Sequence, residues 1–328
     1  MILDVESVSI SIFPSDVIQL ANLRYLAIQA HNGSPAASIS NLVNLQMLVI
    51  SSRKNIVVPI TIWNMVNLRH LYIKSGENLI EEPCLVHVTE NDGCPSGLVS
   101  LQTLSQVSPQ CCHNIFSRTP NLRKLGFCGP LMSKLGDLEF PNLHSLQHLQ
   151  KLKLLNTNPY PEPTRSCNPI MFPENLKKLT LSNTCMDWEE MWTFSLLPNL
   201  EVLKLKFNAF IGEKWETRDA EFRRLKVLKL HDLDLRQWVC SRENFPGLQR
   251  LVIHHCSKLN GIPSDVGKIL TLDVIEVRGC SSSTWVSAQN IQKEQESEGN
   301  CFLKVQGNNN GSGVELNSRS FDVPRLKK

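Results

Sequence analysis

The segment LPNLEVLKL, residues 197–205, carries Leu197, Leu200, Leu203 and Leu205, and most of the chain repeats this frame. With Leu203 as reference, the frame returns around Leu26, Leu48, Leu71, Leu125, Leu152, Leu179, Leu228, Leu251 and Ile275. Leu98, Leu101 and Leu104 keep three of its positions but put Gln106 where the fourth apolar residue belongs, and Leu3 and Val5 supply a fragment of one more. The spacings between reference residues run from 21 to 33 residues. In the reference copy the last three positions, Leu203, Lys204 and Leu205, alternate apolar, charged, apolar, the period of a strand that buries one face. One such strand cannot cover its own apolar side, so each copy must be covered by the next.

Stacking at this period predicts an α/β fold of one kind, a leucine-rich-repeat solenoid. A parallel sheet would line the concave side, and irregular or short helical segments would form the convex side. The leucines face inward, while positions of the Lys204 type project from the sheet. Five residues past the reference stand Thr157, Thr184, Asn208, Cys256 and Cys280. Small polar side chains there can bond backbone groups in a buried turn, so the two cysteines read as structural.

Residues 1–285 are expected to form one domain of about 11–12 repeats, and residues 286–328 a low-complexity tail without fixed structure. That region is rich in Ser, Gln, Glu, Asn and Gly, and a short strand at CFLKV, 301–305, is the one element expected there. Because Leu3 already sits in the frame, no room is left for a capping unit, which implies a preceding segment. The interval 75–97 is acidic, with Glu77, Glu81, Glu82, Glu90 and Asp92, and reads as an exposed loop. Pro159, Pro161, Pro163, Pro169 and Pro173 exclude a helix before Leu179. DWEEMWTFSLL, 187–197, instead predicts a short convex helix.

The net charge of +3 in 328 residues implies no nucleic-acid partner. The N-terminus is acidic where a secretory signal is basic, and no apolar run is long enough to span a membrane. Eleven cysteines without framework spacing fit reduced thiols, so a cytoplasmic protein is expected.

The repeat frame, together with IFPSDVIQLANLRYL (12–26) and CSKLNGIPSDVGKILTL (256–272), resembles the repeat region of plant intracellular nucleotide-binding, leucine-rich-repeat disease-resistance proteins. NLKKLTLSNTCMDWEEM (175–191) and LPNLEVLKLKFNAFIGEKWE (197–216) are similar to the late-blight-resistance group with coiled coils. The resemblance implies a recognition and autoregulatory module that senses a pathogen effector, or a host protein modified by one. It also implies that ATP or ADP binds a separate nucleotide-binding domain, so this chain itself would need no cofactor or metal. Two other readings stand beside it: a substrate-binding adaptor of a ubiquitin ligase, and a truncated paralogue that does not signal. A secreted receptor ectodomain is disfavoured because the Gly-Ile-Pro turn occurs once, at Gly261–Pro263.

Charge on the expected concave face points to protein binding. The frame collects Arg123, Lys124, Lys151, Lys153, Lys177, Lys178, Lys204, Lys206, Lys226, Lys229 and Arg250 into a basic stripe, with Tyr25 and Tyr72 as aromatic anchors nearby. Such a stripe attracts an acidic surface, either the receptor's own nucleotide-binding domain or a pathogen protein. Other patterns lead nowhere chemically. In GIPSDVGK, 261–268, five residues separate the glycines where a phosphate loop needs four, and Ile269 replaces its hydroxyl residue. His254, His255 and Cys256 are consecutive, so strand geometry sends them apart. No nucleophile elbow is present, and no enzyme is expected.

Overall fold

The computed structural model describes residues 1–10, 14–30, 37–52, 58–75, 97–109, 115–131, 138–158, 172–218, 221–300 and 302–308. Thirteen strands of these residues form one sheet in chain order. They are β1 (Ile2–Ile10), β2 (Tyr25–Ala30), β3 (Met47–Ser52), β4 (His70–Ser75), β5 (Thr103–Val107), β6 (Lys124–Gly129), β7 (Lys151–Asn156) and β8 (Lys178–Ser182). Then follow β10 (Val202–Lys206), β13 (Val227–His231), β15 (Arg250–His254), β16 (Val274–Arg278) and β17 (Lys304–Asn308). Between them lie two parallel ribbons, β9 (Met186–Asp187) with β11 (Phe210–Ile211), and β12 (Lys214–Glu216) with β14 (Gln237–Val239).

The register is the one the frame dictates. Leu152 pairs with Leu179, Leu179 with Leu203, Leu203 with Leu228, Leu228 with Leu251, and Leu251 with Ile275. These residues point into the core and are almost fully buried. Burying each contributes about 1.5–3 kcal/mol, and no repeat could retain that alone.

The incomplete repeat at Leu104 is complete in the structure. Leu104 pairs with Leu125, but Val107 pairs with Phe127, so one residue is looped out between them. Gln106 adopts φ +53°, and Val107 fills the fourth apolar position, fully buried. The extra residue is a bulge, which no fixed spacing can register.

On the side opposite the open sheet face, the rings of successive repeats stack. Phe127, Phe140, Phe172, Phe194 and Phe210 follow one another at centroid distances of 5.5–6.0 Å. Trp188, Trp215 and Trp238 then stack at 4.9 and 5.2 Å. The helix expected at 187–197 is present as a 3-10 turn, Trp188–Glu190, running into α2 (Met191–Ser195), which follows α1 (Ile115–Arg118) in the chain. Asp187 caps the turn by accepting from the Glu189 N–H at 2.8 Å.

At the edge where strands begin, an asparagine four residues before the reference links repeats. The Asn44, Asn67, Asn121, Asn175 and Asn199 amides donate to the Ala21, Val43, Val99, Gln147 and Glu174 carbonyls at 2.8–3.0 Å. At the strand exits the polar residues differ from expectation. Thr184 is buried and donates to the Ala209 carbonyl at 2.8 Å, as its position predicts. Asn208 is exposed. The buried amide is Asn156, one position earlier in its repeat: its Oδ1 accepts from the Leu131 N–H, and its Nδ2 donates to the Asn183 carbonyl.

Residues 282–300 and 302–308 depart from the expectation of a structureless tail. Ser282–Ser297 form α3, and the expected strand lies three residues later than CFLKV, as β17 on the edge of β16. The boundary drawn at 285 therefore falls inside a helix. Thr284, Ala288, Ile291 and Gln295 are its buried face. Gly261 and Gly267 let it approach: a Cβ at Gly267 would stand 2.7 Å from Ile291 Cγ2. The GIPSDVGK segment, rejected as a phosphate loop on its spacing, is the seat of a helix. The acidic interval from 76 to 96, the prolines from 159 to 169 and the chain after 308 lie outside the described residues.

Candidate functional site: the open face of the sheet

Three rows of side chains leave the sheet on its open face, at one before, one after and three after each reference residue. Lys124, Lys151 and Lys178 are successive partners in the first row. In the second, Lys153 pairs with Thr180, Thr180 with Lys204, and Lys204 with Lys229. Lys206, His231, His254 and Arg278 are successive partners in the third. From β5 to β15 no Asp or Glu occupies any of these positions. Arg123, Lys177 and Lys226 stand one residue earlier, on the edge where the strands start, so they flank the stripe and do not belong to its rows. Lys226 there meets Glu201 at 3.4 Å.

The carboxylates on this face sit towards its two ends. At one end Glu6, displaced by a bulge in β1, accepts from Ser51 at 2.8 Å and pairs with Lys74. At the other, Glu276 is the hub of a network. It takes Arg250 at 2.6 Å, His254 at 3.1 Å and Arg278 at 3.1 Å. Burial alone would raise the Glu276 pKa, but these donors outweigh it and hold the carboxyl below its usual range. Beside the network, burial pushes the Lys229 ammonium pKa down, against the opposing pull of Glu276.

His231 lies between these cations. Burial, then Lys206 and Lys229, then His255 and His254, depress its pKa to about 3, so the ring is neutral at physiological pH. The consecutive His254, His255 and Cys256 diverge as strand geometry requires. His254 faces the open side, the two imidazoles are 6.4 Å apart, and Cys256 lies in the core. Burial pushes the Cys256 thiol up to about 12 and Cys128 to about 11, which leaves both as poor nucleophiles.

The two tyrosines differ from one another. Tyr25 is half-buried, with its hydroxyl 3.5 Å from Asp4. Tyr72, expected as an accessible anchor, is 1% exposed and packs with Ala27 and Val49, its ring stacked on His70. It is thus part of a second apolar cluster and offers no surface. The Glu276 hub was missed in the sequence because one acid among many bases carries no pattern; its significance is set by the register that aims Arg250, His254 and Arg278 at it.

Among the described residues no helix is long and apolar enough to cross a membrane. The family profile described as "Leucine-rich repeat region" matches residues 1–297. The chain is similar to the putative late blight resistance protein homolog R1B-16 of Solanum demissum, 36% identical over 284 residues, which are 84% of this chain and 21% of that protein. Homolog R1B-13 from the same species is 34% identical over 305 residues, 90% of this chain and 25% of its own length. The chain therefore spans about a fifth to a quarter of the curated relatives it matches. Among solved structures, an internalin from Listeria monocytogenes is 14% identical and covers 86% of this chain and 85% of its own, at a TM-score of 0.49. The profile match and the register of thirteen stacked strands agree: the chain belongs to the leucine-rich-repeat regions, of the kind carried by the late blight resistance homologues.

Proposed function

We propose that this region is the recognition and autoregulatory module of a plant cytoplasmic immune receptor, and that it docks an acidic protein surface on its basic stripe. One observation carries the reading: the acid-free rows from β5 to β15, in which lysines are direct neighbours across strands. Like charges placed opposite one another destabilise a sheet by a few tenths to about 1 kcal/mol per pair. The same charges, gathered on one face, would turn that repulsion into attraction towards an acidic partner. The partner in the resting state is the receptor's nucleotide-binding domain, which the family resemblance implies and which would hold the ATP or ADP. A pathogen effector, or a host protein altered by one, competes for the same face.

The test is binding of this chain to the nucleotide-binding domain of a longer Solanum demissum homologue, measured across a salt series. The double charge reversal Lys178→Glu and Lys204→Glu is expected to weaken binding at low salt by about tenfold or more, through lost attraction and new repulsion. Unchanged affinity and an unchanged salt slope would remove the stripe from the interface.

A further inference from the structure

The asparagine ladder at the strand-start edge has two missing rungs in the first half of the array. Ser100 and His148 stand where asparagine stands in the neighbouring repeats, and among the described residues neither makes the ladder bond. A groove of about 280 Å³ opens at this place, lined by Arg69, Val99, Ser100, Gln102, Arg123 and His148 together with the rung Asn121.

The backbone brings these groups side by side. The Gln102 N–H donates to the Arg69 carbonyl at 2.8 Å, and the Arg123 N–H to the Gln102 carbonyl at 2.9 Å. Arg69 and Arg123 are therefore two strand spacings apart, about 9–10 Å, with Gln102 and its side-chain amide between them. Two guanidinium groups reaching inward from that separation can close on one small group. No Asp or Glu lines the groove, so the two positive charges are not neutralised within it. Its volume, at the lower limit of sites for drug-sized ligands, suits a single head group.

We propose that this groove binds a phosphoryl group carried on a side chain of a partner protein. A phosphomonoester has close to two negative charges and three acceptor oxygens at neutral pH, and matches two arginine forks and an amide. A carboxylate supplies half that charge. The carrier is a protein segment because the groove wall itself carries exposed apolar surface, Val99 at 56%, and Val66 of the preceding repeat is 49% exposed. They stand at the same position of adjacent repeats, where residues flanking the phosphorylated one can lie. This site is on the strand-start edge, away from the open sheet face, and does not depend on the docking proposed above.

The experiment uses the full chain and a short degenerate peptide library with phosphoserine fixed at its centre, read by fluorescence anisotropy. Inorganic phosphate and the unphosphorylated library serve as comparison probes. The phosphorylated library should bind at least about tenfold more tightly than either. Arg69→Gln and Arg123→Gln, both at exposed positions, should each weaken it about tenfold or more, the size expected for a charge-assisted pair. The Lys178→Glu, Lys204→Glu chain, with its open face altered, should bind the library as the natural chain does. Binding that ignores phosphorylation, or survives Arg123→Gln, would overturn the site. Inorganic phosphate binding as tightly as the peptides would overturn the protein carrier, and loss of binding in the double lysine variant would move the anion to the open face.

Discussion

His231 shows how much one side chain's chemistry depends on its row. Its register partners are Lys206 and His254, its ring packs edge-on to Phe207 at 4.9 Å and to His255 at 5.3 Å, and Lys229 is two residues away on the same strand. Its folded pKa of about 3 lies well below the ordinary value for histidine near 6.5. Between those two pH values the unfolded chain binds a proton that the folded chain refuses, so stability must fall as pH drops from 6.5 towards 3. His231→Gln cannot take up that proton. Urea midpoints between pH 7 and 4.5 should fall less steeply in the variant, with the residual slope arising from His70 and His254, which burial also depresses. Parallel slopes would show that His231 is protonated in the native state. Such an environment is illegible in the sequence, where His231 is one of nine histidines. The reference leucines were legible because periodicity alone buries them. Asn156 was not, since the polar residue of the turn shifts by one position between repeats.

At the scale of elements, strands with a full frame read correctly and those with a local irregularity did not. The bulge at Gln106 hid a complete β5, because an inserted residue breaks the count while leaving the packing intact. α3 was hidden for a different reason. Its buried face, Thr284, Ala288, Ile291 and Gln295, has two polar members, so composition argued for disorder. The helix is fixed by what it packs on: Ser287 accepts from the Ile262 N–H at 2.8 Å, and Thr284 donates to the Leu259 carbonyl at 2.7 Å. Gly267 tests this account cleanly. Its φ of −63° suits any residue, so Gly267→Ala would normally stabilise by roughly 0.4–1 kcal/mol through the unfolded chain. A Cβ 2.7 Å from buried Ile291 and 3.2 Å from the Ser264 carbonyl reverses the sign. We expect a loss of about 1–3 kcal/mol, with amide exchange accelerated first in α3 and β17. A stabilised variant would mean that α3 is not seated as described.

In the whole molecule each repeat touches mainly its neighbours, so an unfavourable contact is paid for locally and a favourable surface can be extended one strand at a time. The basic stripe was legible in outline because the frame places every outward residue. Its membership was not, since Arg123, Lys177 and Lys226 fall on the edge and Tyr72 is buried in a small apolar cluster on the face itself. Lys151 occupies the middle of the Lys124–Lys151–Lys178 row and is exposed. Replacing it with glutamine removes two like-charge pairs at once, and should raise stability by about 0.3–1 kcal/mol in low salt. At physiological ionic strength, where charges are screened beyond about 8 Å, the gain should shrink. The same variant should bind the acidic partner more weakly, since it subtracts from the potential that attracts it. Stability and binding therefore move in opposite directions for one substitution, a result that a merely solvated lysine face does not produce. Chemical denaturation in low and high salt, beside the binding assay, reads both; a Lys151→Gln chain that is less stable in low salt, or equally stable but undiminished in binding, would mean that the row has no electrostatic cost and no docking role.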